Sequence, residues 1–189
     1  MNGAYVPILS TSTDQVEFLC PALPARTPLD IAVETTSGQS NSLQTTMEET
    51  APAIFTVDGS PQGQALAIRS NSAELAALPN FRVRARPALA GELVSVWATG
   101  IECATAPQLW LNLGGQPVAI DSAQPVSQMA GMCEIAFRIP ANVSGDAVSF
   151  VIVTMQSDDT VSGSNRTSVA VRRSSPETNA DNLNLEEKP

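Results

Sequence analysis

The sequence predicts an all-β protein built as two tandem immunoglobulin-like β-sandwich copies, the first lacking its N-terminal strands. Three observations lead there. First, the chain repeats itself. Gly3-Ala-Tyr-Val-Pro-Ile-Leu-Ser10 resembles Gly115-Gln-Pro-Val-Ala-Ile-Asp-Ser122 at an offset of 112, and residues 16–35 run without a gap against 135–154 at an offset of 119. A repeat of this kind decides architecture before local propensity does. Second, apolar runs are short and rich in Val, Ile and Leu, and the 11 Gly and 14 Pro supply frequent turns. Third, with 43% apolar residues the chain can bury a core, which excludes global disorder.

In copy one (residues 1–50), strands are expected at 5–9, 15–20, 29–34 and 43–46. Residues 51–90 are expected to form a packed bridge, because Ile54, Phe55, Leu66 and Ile68 need burial. Within it, 51–56 and 63–68 read as short strands and 74–78 as one helical turn. Residues 81–86 alternate strictly and place Arg82, Arg84 and Arg86 on one face of a strand.

Copy two (residues 91–173) is the complete one. Leu93-Val-Ser-Val-Trp-Ala98 reads as a strand stopped at Thr99-Gly100. Leu109, Leu111 and Leu113 share one face of the next strand, and Gly114-Gly115 turns it into 118–120. Residues 132–139 form a strand closed by Pro140, which has no N–H for a ladder. Residues 147–155 are apolar on both faces, as a central strand is. Residues 167–171 supply the last strand. About six strands in some 80 residues fit a sandwich; a small barrel is the competing architecture. The tail, 174–189, is rich in Asn, Ser, Glu and Pro, and its composition predicts disorder.

Copy one has no counterpart of 93–98 or of 109–113. A sandwich without its first strands exposes a sheet edge and an apolar face. The expectation is that a longer parent chain or a partner supplies them. Met1 is followed directly by strand-like sequence with no signal-peptide pattern, so either the protein is cytosolic or Met1 begins a piece of a longer chain, and the strands lacking from copy one favour the piece. No apolar run is long enough to span a membrane.

The composition narrows the chemistry. There is no His, and the only Lys is Lys188 in the tail. His triads, His-ligated metals, lysine Schiff bases and Ser–Lys dyads therefore have no place in the folded body. No cofactor pattern is present. The net charge of −9 argues against nucleic acid, whose backbone is bound by clustered Lys and Arg.

Three phrases in order carry a family resemblance: Ala51-Pro-Ala-Ile-Phe-Thr56 with Gly63-Gln-Ala; Val96-Trp-Ala-Thr-Gly100; and Gly114-Gly-Gln-Pro-Val118 with Ile135-Ala-Phe-Arg-Ile-Pro140 and Gly145-Asp-Ala-Val148. Over roughly residues 3 to 172 the chain resembles the C-terminal domain of large secreted acidobacterial proteins, the Solibacter-type domain, a family without an established activity. The resemblance implies two immunoglobulin-like copies at the end of an exported protein, and it carries over no functional residues. Residues 72–90 are longer and richer in Arg than the family pattern.

Given the exported setting the resemblance implies, Cys103 and Cys133, which flank the hairpin of copy two, are expected to form a disulfide, with Cys20 free and buried. Three buried thiols are the alternative. Arg82, Arg84 and Arg86 are the candidate anion-binding residues, for an acidic glycan, against the plainer role of guarding a strand edge by charge. Asp158-Asp159 could contribute to a calcium site, but two adjacent aspartates more often make a solvated turn. Trp97 and Trp110 are expected in the core rather than stacked on sugars. Asn142-Val-Ser144 and Asn165-Arg-Thr167 match glycosylation sequons. The function expected is a non-catalytic structural or adhesive module, secreted or at the cell surface. The alternatives are a module that takes a partner strand at the open edge, which includes a homodimer through the incomplete first copy, and a carbohydrate-binding module. A hydrolase using a carboxylate pair ranks last.

Overall fold

The computed structural model describes residues 1–103 and 109–173. Among them there is no helix, and every regular element is a strand. The expected tail lies outside the described residues.

Residues 51–103 and 109–173 form two facing sheets. The first has the order β13 (Ile120–Pro125), β14 (Met132–Arg138), β10 (Leu93–Thr99), with β7 (Ala53–Ile54) and β8 (Ala67–Arg69) sharing the far edge of β10. The second has the order β12 (Gln116–Val118), β11 (Leu109–Leu113), β15 (Gly145–Met155), β17 (Thr167–Arg172), β9 (Ala88–Leu89), with β16 (Val161–Gly163) also on β15. The chain changes sheets at Ala119, so the expected strand 118–120 is divided between the two. All named strand pairs are antiparallel except β17 with β9. Alternation puts Val94, Val96, Ile135 and Phe137 of one sheet against Leu111, Leu113, Phe150 and Ile152 of the other, all fully buried. Phe137 and Phe150 stack between the sheets, with ring centroids 5.2 Å apart.

The segment expected as a packed bridge thus supplies edge strands to both sheets. Its details differ from expectation. Residues 74–78 make no helical turn. The Leu75 N–H donates to the Arg84 carbonyl, the Arg86 N–H donates to the Leu75 carbonyl, and the Ala76 N–H donates to the Ala67 carbonyl. Pairing with other segments overrides helix propensity here. Residues 81–86 form no strand; a single bridge joins Leu75 to Ala85, and Val83 stays exposed because nothing pairs with the rest. Ala65 and Ala67, not Leu66 and Ile68, face the core, and Phe55 is exposed.

Residues 1–50 form three hairpin pairings: β1 (Ile8–Thr11) with β2 (Val16–Phe18), β3 (Pro28–Ile31) with β6 (Leu43–Thr46), and β4 (Glu34–Thr35) with β5 (Gly38–Gln39). Their registers repeat those of the sandwich. Ile8↔Phe18, Ser10↔Glu17 and Thr11↔Val16 correspond to Ile120↔Phe137, Ser122↔Ala136 and Ala123↔Ile135, with a bulge at the same place. Leu29↔Thr45 and Asp30↔Gln44 correspond to Val148↔Val169 and Ser149↔Ser168. Glu34↔Gln39 and Thr35↔Gly38 correspond to Val153↔Gly163 and Thr154↔Ser162. Side-chain bonds follow suit. The Ser40 hydroxyl accepts from the Val33 N–H (3.0 Å) and donates to the Asn41 carbonyl (2.9 Å); the Ser164 hydroxyl does the same with Ile152 (2.9 Å) and Asn165 (2.8 Å).

Gly100 ties the end of β10 to the chain just before β7. Its carbonyl accepts from the Ala51 N–H, its φ is +70°, and a Cβ there would lie 1.8 Å from the Ala51 carbonyl oxygen. Gly100→Ala is expected to cost about 2 kcal/mol or more, adding steric overlap to backbone strain. Gly115→Ala, at φ +84° with open space around it, should cost only about 1 kcal/mol. Urea denaturation of both variants checks the difference.

Candidate functional site

The feature of residues 1–50 with functional content is an unpaired edge. In the sandwich, β14 is flanked by β13 and β10, and β15 by β11 and β17. In residues 1–50, β2 pairs only with β1 and β3 only with β6. Several apolar side chains of residues 1–50 lie in solvent. Val33 is 44% exposed where its counterpart Ile152 is 0%, and Val16 is 36% exposed where Ile135 is 0%. Ile8, Leu9 and Leu43 are more exposed still.

One rung is already in place along the open side of β3. The Asn2 N–H donates to the Asp30 carbonyl at 2.8 Å, as the Gly114 N–H does to the Ser149 carbonyl at 2.7 Å in the sandwich. The Asn2 side chain adds two bonds, accepting from the Asp30 N–H (2.7 Å) and donating to the Pro28 carbonyl (3.0 Å). Beyond it, among the described residues no strand lies against residues 31–35 on that side.

A second polar cluster sits where residues 1–50 meet the sandwich. Arg26 pairs with Asp158. The Glu49 carboxylate accepts from the Ser157 hydroxyl (2.6 Å) and N–H (2.9 Å), and the Thr50 and Thr154 hydroxyls share a bond of 2.7 Å. A cavity of about 430 Å³ lies among these side chains. The Ser157 hydroxyl, then its N–H, hold the Glu49 carboxyl below its ordinary range. The Thr160 hydroxyl and N–H, and then Arg26, do the same for Asp158. A depressed folded-state pKa contributes stability that is present above the unfolded value and is lost as pH falls through the folded one. The junction should therefore hold at neutral pH and loosen only below about pH 4. The Ser157 and Thr160 amide resonances should titrate with midpoints below that value, and Glu49→Gln should flatten the Ser157 curve alone.

The other sequence candidates stand as follows. Cys103 and Cys133 are joined, and Cys133 is buried. Cys20 is unpaired as expected, but it is exposed rather than buried, because it follows β2, whose only partner is β1, and no segment packs over it. Arg82, Arg84 and Arg86 are all exposed on an irregular segment, and among the described residues none makes an ion pair. Asp158 is engaged by Thr160 and Arg26, and among the described residues no group of acidic or Cys side chains converges as metal ligands would. Trp97 and Trp110 are half-buried on different sheets, so they form no joint platform and are not in the inner core. Asn165 is not a free acceptor for a glycan: its side chain accepts from the Ile54 N–H (2.7 Å) and donates to the Ile54 carbonyl (3.0 Å).

Sequence inspection missed the Ser40-Asn41 and Ser164-Asn165 pair, although extending the repeat with an offset of 124 finds it. It also missed Arg69, Glu74 and Glu92, a buried ionic cluster with no pattern in the sequence. No family model and no curated protein matches the chain.

Proposed function

We propose that this chain is a non-catalytic structural or adhesive module from the C-terminus of an exported bacterial protein, of the Solibacter-type family, built as two immunoglobulin-like copies of which the first lacks strands. The observation that carries the duplicated architecture is the register identity. Three hairpin pairings, one bulge and the serine bonds recur at offsets of 112, 119 and 124. Unrelated hairpins would share neither bulge position nor side-chain bonds. The Cys103–Cys133 bridge fits an oxidising compartment. The expected result is saturable retention of the labelled protein on bacterial cell envelopes without turnover of glycosides, esters or peptides. Turnover that disappears when one carboxylate pair is replaced would overturn this assignment.

The exposed apolar side chains along 8–43 favour a second role, a module that takes a partner strand. Carbohydrate binding has less support, since the two Trp lie apart. Glycan retention lost on changing Arg82, Arg84 and Arg86 to Gln would raise it.

A further inference from the structure

We propose that the outer face of the β13–β14–β10 sheet binds a neutral, ribbon-shaped glycan of equatorially linked hexoses, stacked on Trp97 and Phe55. The inference rests on the adhesive reading of the module and names the ligand it holds.

Strand alternation builds this face. Val94, Val96 and Ala98 of β10 are fully buried between the sheets, so Ser95 and Trp97 point outward. Cys133 and Ile135 of β14 face inward in the same way, which turns Glu134 outward. Ala123 of β13 packs against the core, and its neighbours Ser122 and Gln124 turn away from it. The register sets these side chains in rows. Trp97 lies opposite Glu134, and Glu134 opposite Gln124. On the other side of β10, Ile54 lies opposite Ala98 and is buried. The next residue, Phe55, therefore stands beside Trp97 on the outer face, and its N–H donates to the Trp97 carbonyl at 3.0 Å. The aromatic neighbour of Trp97 is thus Phe55, not Trp110. Beside the row Phe55, Trp97, Glu134, Gln124 runs a row of small residues, Ser95, Ala136 and Ser122, which leaves the ground next to it low.

The polar groups of the first row lack partners. Phe55 and Gln124 are exposed, and Trp97 and Glu134 are half-buried. Among the described residues, the Trp97 indole N–H, the Glu134 carboxylate and the Gln124 amide make no hydrogen bond or ion pair. Glu74 and Glu92, by contrast, both hold Arg69. Groups so far withdrawn from water ordinarily find a partner.

A hexose chain supplies what they lack. The C–H face of a pyranose with equatorial substituents lies flat on an aromatic ring. Its hydroxyls donate to a carboxylate, exchange bonds with an amide and accept from an indole N–H. Neighbouring strands lie about 5 Å apart, so the row advances by close to one pyranose per strand. A flat sheet face suits a flat ribbon of such sugars. An anionic chain would meet the Glu134 carboxylate, and like charges repel.

The test is NMR titration of the whole chain with cellohexaose and, separately, with chitohexaose, following the indole N–H signals of its two Trp. Glycan should shift the Trp97 signal and leave that of Trp110 in place. Comparing the two glycans distinguishes plain hydroxyls from N-acetyl groups. Trp97→Ala should weaken binding by about ten-fold or more, and Phe55→Ala by about two- to ten-fold. Gln124→Ala should weaken it by about two- to ten-fold, the effect of one hydrogen bond. Phe55 and Gln124 are exposed, so their variants report on binding with the fold intact. Glu134→Gln should change binding by less than about three-fold, because an amide still bonds hydroxyls, and salt of about 1 M should leave it unaltered.

No shift of the Trp97 signal with either glycan overturns the proposal, as does unchanged affinity in both Phe55→Ala and Gln124→Ala. So does a shift with tetramethylammonium in place of the glycans, lost in Glu134→Gln, which would make an organic cation the occupant. Retention on cell envelopes separates the two levels. Retention that survives in Phe55→Ala, with no glycan-induced shift, removes this ligand and leaves the adhesive module standing. Absence of retention in the unaltered chain removes the adhesive reading, while a Trp97 shift still upholds the site.

Discussion

Glu92→Leu is expected to destabilise the sandwich by about 3–5 kcal/mol, the range for stranding one member of a buried ion pair. Arg69 and Glu92 are both nearly inaccessible, with side chains 6% exposed. The Arg69 Nε–H lies 2.9 Å from each Glu92 oxygen, one terminal nitrogen lies 2.8 Å from the same carboxylate, and the other donates to Glu74 at 2.7 Å. Glu92 also accepts from the Leu89 N–H at 2.9 Å. The cluster therefore ties β8 of one sheet and β9 of the other to the start of β10. Removing Glu92 leaves a buried guanidinium with only half-buried Glu74, and leaves the Leu89 N–H without its acceptor. For a chain of this size the loss corresponds to a fall in Tm of about 10 °C. The double variant Arg69→Met, Glu92→Leu should recover most of the loss, since an apolar pair avoids the desolvation that the ions incur. Urea denaturation of both variants is the measurement. A single-variant cost under about 1 kcal/mol would show that water reaches the cluster.

Breaking the Cys103–Cys133 bridge should cost about 3–4 kcal/mol in the chain-entropy account, given its separation of 30 residues. Cys133 opens the core-facing run of β14, opposite Ala98 of β10, and Cys103 follows the turn that leaves β10. The bridge therefore fastens the exit of β10 to its neighbour. Paired Cys103→Ala and Cys133→Ala replacements should lower the urea midpoint by this amount. Cys20→Ser, at an exposed position, should change it by less than about 0.5 kcal/mol. Intact mass after alkylation under denaturing conditions checks the pairing: one thiol should react before reduction and three after. Three reactive thiols at the outset would remove both the bridge and its argument for an exported setting.

The parts of the fold legible in the sequence are those where one local period and one turn signal agree. β10, β11, β14 and β17 lie where strands are expected, Leu111 and Leu113 share the inward face of β11, and Gly114-Gly115 closes the β11–β12 hairpin. The expected central strand is β15, buried fully on the face of Phe150 and Ile152 and partly on the other. The arginine run shows the limit of this reasoning. Residues 81–86 alternate as well as any strand, yet a strand needs a neighbour along its length, and only Leu75 offers one bridge. Likewise Ala65 and Ala67, not the larger Leu66 and Ile68, occupy the core, which follows from the pairing that sets which face of this segment turns inward and not from hydrophobicity.

By itself the sequence determined the all-β class and most strands of residues 91–173. Both are carried by short-range periodicity and turn signals. Only the tertiary structure decided that residues 51–90 complete both sheets, that Arg69 and Glu92 meet in the interior, and that Val33 and Cys20 lie open. Each depends on which segments come to lie side by side. Whether an apolar side chain is covered is set by the presence of a neighbouring strand, and its own residue type does not record that.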